Sequence, residues 1–167
     1  MNQIEIVQDM DQGIAVMHRV GTWMKNQGLN YSQWWNPKNM NRRFLLQYSE
    51  PNEYYVAMTD NQPIASVILQ QTERNQSWQS VDGHHPQKAL YVHWLCVDRH
   101  YAGLGLSKKM IEFAQKLAKA KGYKLLRLDT DADEPKLCHL YRQLGFQVKG
   151  IEKEEERNVI YFEKIIP

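Results

Sequence analysis

Between Leu90 and Lys121 the chain passes from an almost wholly apolar run, through a glycine turn, into its clearest amphipathic stretch. Few folds accept that succession. Ala89–Val97 is apolar or aromatic nearly throughout, which predicts a strand buried on both faces. Residues 98–107 follow, with Gly103 and Gly105 placed where a helix opens. Leu104–Lys121 then sets Leu106, Met110, Phe113, Ala114, Leu117 and Ala118 on one stripe. Lys108, Lys109, Glu112, Lys116 and Lys119 take the other side, and Gly122 ends the helix. Glycines at such a junction allow a tight turn. The opening N–H groups, left without partners inside the helix, join the positive end of the dipole as a site for phosphate or pyrophosphate. The same turn also arises where a helix only packs closely on its strand. A dinucleotide-binding turn fits less well, because it asks for a third glycine at position 108, which is Lys.

The flanking patterns complete an α/β domain with a mixed sheet. Gln3–Gln8 alternates as a half-buried edge strand, and Ile14, Met17 and Val20 mark a helix after Asp9 that stops near Gly28. A second helix is expected from Pro37, carrying Met40, Phe44, Leu45 and Tyr48. Glu53–Thr59 and Ile64–Gln71 flank Asp60-Asn61-Gln62-Pro63 and predict a hairpin, and residues 72–88 read as a long polar loop. Lys124–Thr130 is a strand, residues 134–143 a short helix closed by Gly145, and Phe146–Lys153 with Asn158–Ile166 a final strand pair. The expected order is β-α-α-β-β-β-α-β-α-β-β, in one domain over residues 1–167.

Composition narrows the function. A hydrophobic share of 43% with 24% charged residues is ordinary globular usage, and no apolar run approaches the roughly 20 residues of a membrane span. The N-terminus lacks the pattern of a secretory signal, so a cytoplasmic location and no membrane partner are expected. Net charge is +2 with the signs interspersed, which argues against a nucleic-acid partner. Cys96 and Cys138 are expected to be reduced and buried. His84-His85 invites a metal reading, but adjacent residues in a polar loop rarely converge on one ion, and no metal is expected.

The run Ala102-Gly103-Leu104-Gly105-Leu106-Ser107 resembles the acetyl-CoA loop of the GNAT acetyltransferases, whose pattern is Gln/Arg-x-x-Gly-x-Gly/Ala. Gly105 matches its central glycine and Ser107 stands in for its last small residue, whereas Ala102 departs from Gln/Arg. A register shifted by one or two residues would bring in Arg99 or His100 instead. Some 35 residues on, Tyr141-Arg142-Gln143-Leu144-Gly145-Phe146 is similar to the family's Tyr-x-x-x-Gly-Phe signature. An Asn that often precedes that tyrosine by seven residues is here Glu134. The resemblance covers residues 53–150 well and the N-terminal third in element order.

What the resemblance implies is a GNAT fold with splayed central parallel strands and acetyl-CoA as cosubstrate. The backbone of Leu95, Cys96 and Val97 would pair with pantetheine. Residues 102–107 would hold the pyrophosphate, with Lys108 or Lys109 adding charge, and Glu134 would lie near pantetheine. Tyr141 would protonate the leaving thiolate, although its helix position also suits a packing role. For the base that deprotonates the amine the choice is His93, which shares strand parity with Tyr91 and Leu95 and titrates near neutrality. A histidine satisfied in the core is the alternative. Asp129, with Asp131 and Asp133, would attract a cationic amine, or simply solvate a loop and cap the next helix. Tyr31, Trp34 and Trp35 would line an acceptor pocket or close over the core as a lid.

The expected activity is acetyl transfer to a primary amine of a small molecule or peptide. An acyl-CoA-binding regulatory module and a transferase acting on a macromolecule are the alternatives. The apolar last strand offers an edge to a second copy, from which a homodimer is expected.

Overall fold

The computed structural model describes residues 3–29, 32–73, 77–155 and 157–167. In chain order the elements are β1 (Glu5–Gln8), α1 (Met10–Asn26), α2 (Arg42–Leu45), β2 (Tyr54–Thr59), β3 (Gln62–Gln70), α3 (Gln79–Asp82) and β4 (Leu90–Val97). They continue with α4 (Leu106–Ala120), β5 (Leu125–Asp131), α5 (Pro135–Gln143), β6 (Gln147–Lys153) and β7 (Asn158–Ile165). Among the described residues these strands form one sheet in the order β1-β2-β3-β4-β5-β7-β6. Pairing is antiparallel for β1–β2, β2–β3, β5–β7 and β6–β7. β4 and β5 pair in parallel, at Leu90–Leu126 and Tyr91–Arg127. The mixed α/β architecture expected from the sequence is the one observed.

Three expectations need correction. The helix anticipated from Pro37 is instead two 3-10 turns, Gln33–Trp35 and Pro37–Asn39, followed by the short α2. Asparagine side chains interrupt it. Asn36 Oδ1 accepts the Lys38 N–H and Asn41 Oδ1 the Phe44 N–H, both at 3.0 Å, so each begins a new turn in place of continuing one ladder. The polar segment 72–88 contains α3, anchored by the buried Trp78, whose ring meets Tyr161 edge-on at 5.1 Å. The last strand is no edge. β7 is paired on both sides, by β5 and β6, so its backbone groups are already used and the dimer expected through it has no free edge there.

The hairpin turn is tighter than the sequence suggests. Asp60 and Asn61 take φ of 49° and 60°, a left-handed pair that closes directly on Thr59–Gln62. Pro63 therefore falls inside β3, where a register shift between Ala57 and Met58 tolerates its missing donor.

By contacts the chain divides into two compact units, Met1–Leu69 with Trp94–Met110, and Gln70–His93 with Ile111–Pro167. In the first, Asp9 caps α1 by accepting the Gln12 N–H at 3.0 Å. α1 then buries Met10, Gly13, Val16, Met17, Val20 and Gly21 on one face. Met10, Val16, Met17 and Val20 share a core with Leu45, Tyr54, Val56 and Ile68, each large apolar residue contributing about 1.5–3 kcal/mol when fully buried. Gly21 must be glycine, because a Cβ there would come within 2.6 Å of the Trp35 carbonyl oxygen. In the second unit Trp78, Ala89, Tyr91, Val159 and Tyr161 form a separate core.

Candidate active site

In the first unit, β4 does not alternate to its end. Trp94 has φ of 48°, a left-handed conformation that costs a residue with a Cβ about 1–2 kcal/mol. Its ring holds it there. The indole Nε1–H donates to the Trp34 carbonyl at 2.7 Å, and the two indoles meet edge-on at 5.9 Å. Trp34 also packs on Tyr48 at 4.9 Å and Phe44 at 6.1 Å, while Trp35 is half-buried against the core of this unit. Leu95 and Val97 are half-buried and Cys96 is buried. Burial pushes the Cys96 thiol up to about 12, so that position offers backbone groups and not a reactive thiolate. Tyr31, named above with Trp34 and Trp35, lies outside the described residues.

Asp98 fixes the exit from β4. Its N–H donates to the Ile64 carbonyl at 2.9 Å, and Oδ2 accepts from Arg19 Nε at 2.6 Å. Arg19 Nη2 donates in turn to the Pro63 carbonyl at 2.6 Å. Asp98 Oδ1 accepts the His100 amide at 3.0 Å and lies 3.0 Å from the imidazole Nδ1. Burial works to raise this carboxyl, but the His100 amide and the Arg19 guanidinium outweigh it and hold the group below the usual carboxylate range. Arg99 lies over the Trp23 ring at 4.3 Å. The turn is thus pinned on its near side.

Beyond it the backbone is open. Ala102, Gly103, Leu104 and Gly105 are all exposed, Leu104 at 52%. Gly103 and Gly105 have φ of 79° and 73°, and a Cβ built on either would meet nothing within 4 Å. The Gly105 carbonyl accepts the Lys109 N–H at 3.0 Å, so α4 begins here with its first-turn amides at the loop. Leu106 is buried and anchors the turn, Ser107 is half-buried and Lys108 exposed.

In the second unit His93 is half-buried, with Nε2 3.5 Å from Glu73 Oε2. Asp129 belongs to the same electrostatic cluster. Burial raises its carboxyl, His93 and Arg157 pull it down, Glu73 and Glu154 push it up, and the net direction is upward. Arg157 Nη2 stands 3.8 Å away. Glu73 is the residue that sequence reasoning missed, since nothing in the spacing of a polar loop distinguishes it. Tyr141 lies in α5 with 6% exposure, its ring 5.9 Å from Phe146 and 5.7 Å from Phe162. Its carbonyl accepts the Phe146 N–H at 3.0 Å as the helix closes through Gly145, whose φ is 87°. Glu134 is exposed at the head of α5, and its carbonyl accepts the Cys138 N–H at 3.0 Å.

Glu73, Trp78, Asp82, Lys88 and Tyr91 are among the residues that line an open cavity of 450 Å³. Its floor is braced by Arg127, which donates to both Asp82 oxygens at 2.7 Å and to Glu163 at 2.8 Å. The same guanidinium stacks over Trp78 at 4.3 Å. Both cysteines are free and buried. Among the described residues no group of three or more His, Cys, Asp or Glu side chains is placed to hold a metal ion, and no helix is long and apolar enough to cross a membrane.

Residues 18–146 match the model of the acetyltransferase (GNAT) family. The chain is 26% identical over 148 residues to the uncharacterised N-acetyltransferase YesJ of Bacillus subtilis (strain 168), covering 87% of this chain and 80% of that one. A GNAT-family acetyltransferase of Listeria monocytogenes superposes with a TM-score of 0.74 at 24% identity, over 98% of this chain and 94% of the other. The PaiA N-acetyltransferase of Thermoplasma acidophilum, solved in complex with coenzyme A, superposes at 0.70 with 18% identity, over 98% and 99%. With the family model spanning most of its length, the open glycine turn ahead of α4 and the Tyr141 signature closing α5, the chain belongs to the GNAT acetyltransferase family and is an acyltransferase.

Proposed function

We infer that the protein transfers an acetyl group from acetyl-CoA to a primary amine of a small molecule or peptide by direct attack. The observation that carries this reading is the glycine turn, exposed and left-handed at Gly103 and Gly105, with open space where side chains would stand. A pyrophosphate needs that combination of accessible backbone amides and a helix N-terminus. The coenzyme A bound to PaiA is in keeping with it.

The first unit supplies cosubstrate binding. The turn from Ala102 to Ser107 holds the pyrophosphate with help from Lys108. The Leu95–Val97 backbone pairs with pantetheine, and an amide near Cys96 steadies the developing oxyanion. The Trp34 ring supports the left-handed Trp94. In the second unit, Asp129 draws the acceptor as an ammonium ion and His93 takes one proton from it. The neutral nitrogen forms the C–N bond as the C–S bond breaks. Tyr141 gives its hydroxyl proton to the departing thiolate and regains one from the nitrogen, so the products are amide, thiol and one released proton. Glu134 stands on the pantetheine side.

The test is release of free coenzyme A thiol from acetyl-CoA over a panel of amines. Turnover that falls about a hundredfold or more in Tyr141→Phe agrees with general-acid catalysis. Turnover unchanged in that variant removes Tyr141 from the mechanism, and no release with any amine leaves the acyl-CoA-binding module as the better reading.

A further inference from the structure

Resting on that reading, we propose that the acceptor's body occupies the cavity lined by Glu73, Trp78, Asp82 and Tyr91, and that the acceptor carries hydroxyl or amide groups beside its amine. Glu73 joins the cavity to the chemistry. Its side chain, 10% exposed, lines the cavity and also stands 3.5 Å from His93 Nε2. An amine entering from this cavity therefore meets a carboxylate that attracts it as an ammonium ion. The same carboxylate is partnered with the imidazole that removes its proton.

The walls define the rest of the ligand. A volume of 450 Å³ lies in the range of small-molecule sites. Trp78 and Tyr91 form an aromatic floor, their rings 6.3 Å apart. The stack of Arg127 on Trp78 and the fork from Arg127 to Asp82 fix that floor. Asp82 is a wall residue too, but its two oxygens are already engaged by the Arg127 guanidinium. Around the exposed rim stand Gln71, Thr72, Gln79 and Gln87, which are neutral and both donate and accept, together with the exposed cation Lys88. An alkyl or aryl amine would desolvate such a rim without replacing its hydrogen bonds, whereas hydroxyl or amide groups replace them. Glu73 then acts twice, on the incoming ammonium ion and through His93.

The experiment compares glucosamine and glycinamide with hexylamine and benzylamine as acceptors, using the parent protein, Gln79→Trp, Gln87→Trp and Glu73→Gln. Thermal stabilisation by acetyl-CoA is measured on each variant. The expected result is acetylation of glucosamine or glycinamide in preference to the two apolar amines. Its KM should rise at least tenfold in Gln79→Trp or Gln87→Trp while stabilisation by acetyl-CoA persists. In Glu73→Gln the acidic limb of the kcat/KM profile should move to lower pH, since the imidazole loses the carboxylate that favours its protonated form. The proposal is overturned by an unchanged KM in both tryptophan variants or by preference for the apolar amines. It is also overturned if a protein that binds acetyl-CoA acetylates neither polar amine. Loss of acetyl-CoA binding by the parent protein would instead strike the acyltransferase reading on which the proposal rests.

Discussion

The Trp94 indole N–H donates to the Trp34 carbonyl at 2.7 Å, and this bond fastens the aromatic segment 33–35 to a left-handed residue inside β4. Replacing Trp94 with Phe keeps an aromatic ring and deletes the donor. The expected loss is about 1 kcal/mol of stability for one neutral hydrogen bond, more if the Trp34 carbonyl stays dry. Urea unfolding of the variant checks it, with the midpoint lowered and the slope unchanged.

Asp98 makes stability depend on acid. Its carboxyl is held below the usual range in the folded protein, so the contribution is fully present above the unfolded value of about 3.9 and is lost as pH falls through the folded value. Asp98→Asn should cost about 1–2 kcal/mol at pH 7, the half-exposed Arg19 screening part of the pair. At a pH below both values the variant and the parent should unfold alike. Paired denaturation curves at neutral and acid pH measure the difference.

Asp129 should behave in the opposite sense. Burial raises its carboxyl, so the folded state holds the proton more tightly than the unfolded chain does. Stability is then lost as pH rises from the unfolded value through the folded one. Asp129→Asn is expected to raise the neutral-pH melting temperature while raising KM for a cationic amine. A melting temperature that falls at neutral pH would contradict the sign of this shift.

Gly105→Ala separates strain from binding. The new Cβ meets no protein atom, yet it must adopt a φ near 73°, which costs about 1–2 kcal/mol. The fold should survive with slightly lower stability, while affinity for acetyl-CoA should fall at least tenfold because the methyl group stands in the open space of the turn. Equilibrium binding of acetyl-CoA to the two proteins reads the effect.

Much of the fold is legible because hydrophobic period and turn chemistry agree. Of the expected stripe, Leu106, Met110, Ala114 and Ala118 are buried and Phe113 and Leu117 half-buried, and the turn between β2 and β3 falls on Asp60-Asn61. The helix expected after Pro37 misleads, since its apolar spacing is real but Asn36 and Asn41 restart the chain with local caps. Strand alternation likewise cannot reveal Trp94, because a left-handed tryptophan is held by a hydrogen bond from a distant segment. The glycine turn is readable from local sequence, since positive φ is a backbone property that glycine announces. Glu73 is not, because a single carboxylate in a polar loop gains its place beside His93 only through tertiary structure.

The most direct test is thermal unfolding with and without acetyl-CoA, with NAD and ATP as controls. At a hundred times the dissociation constant a ligand of the native state adds about 2.7 kcal/mol, which for a chain of this size raises the midpoint by roughly 5–10 °C. Acetyl-CoA alone should give that rise. No rise, or a rise with NAD or ATP in its place, would contradict the assignment of the turn at Ala102–Ser107 to acetyl-CoA.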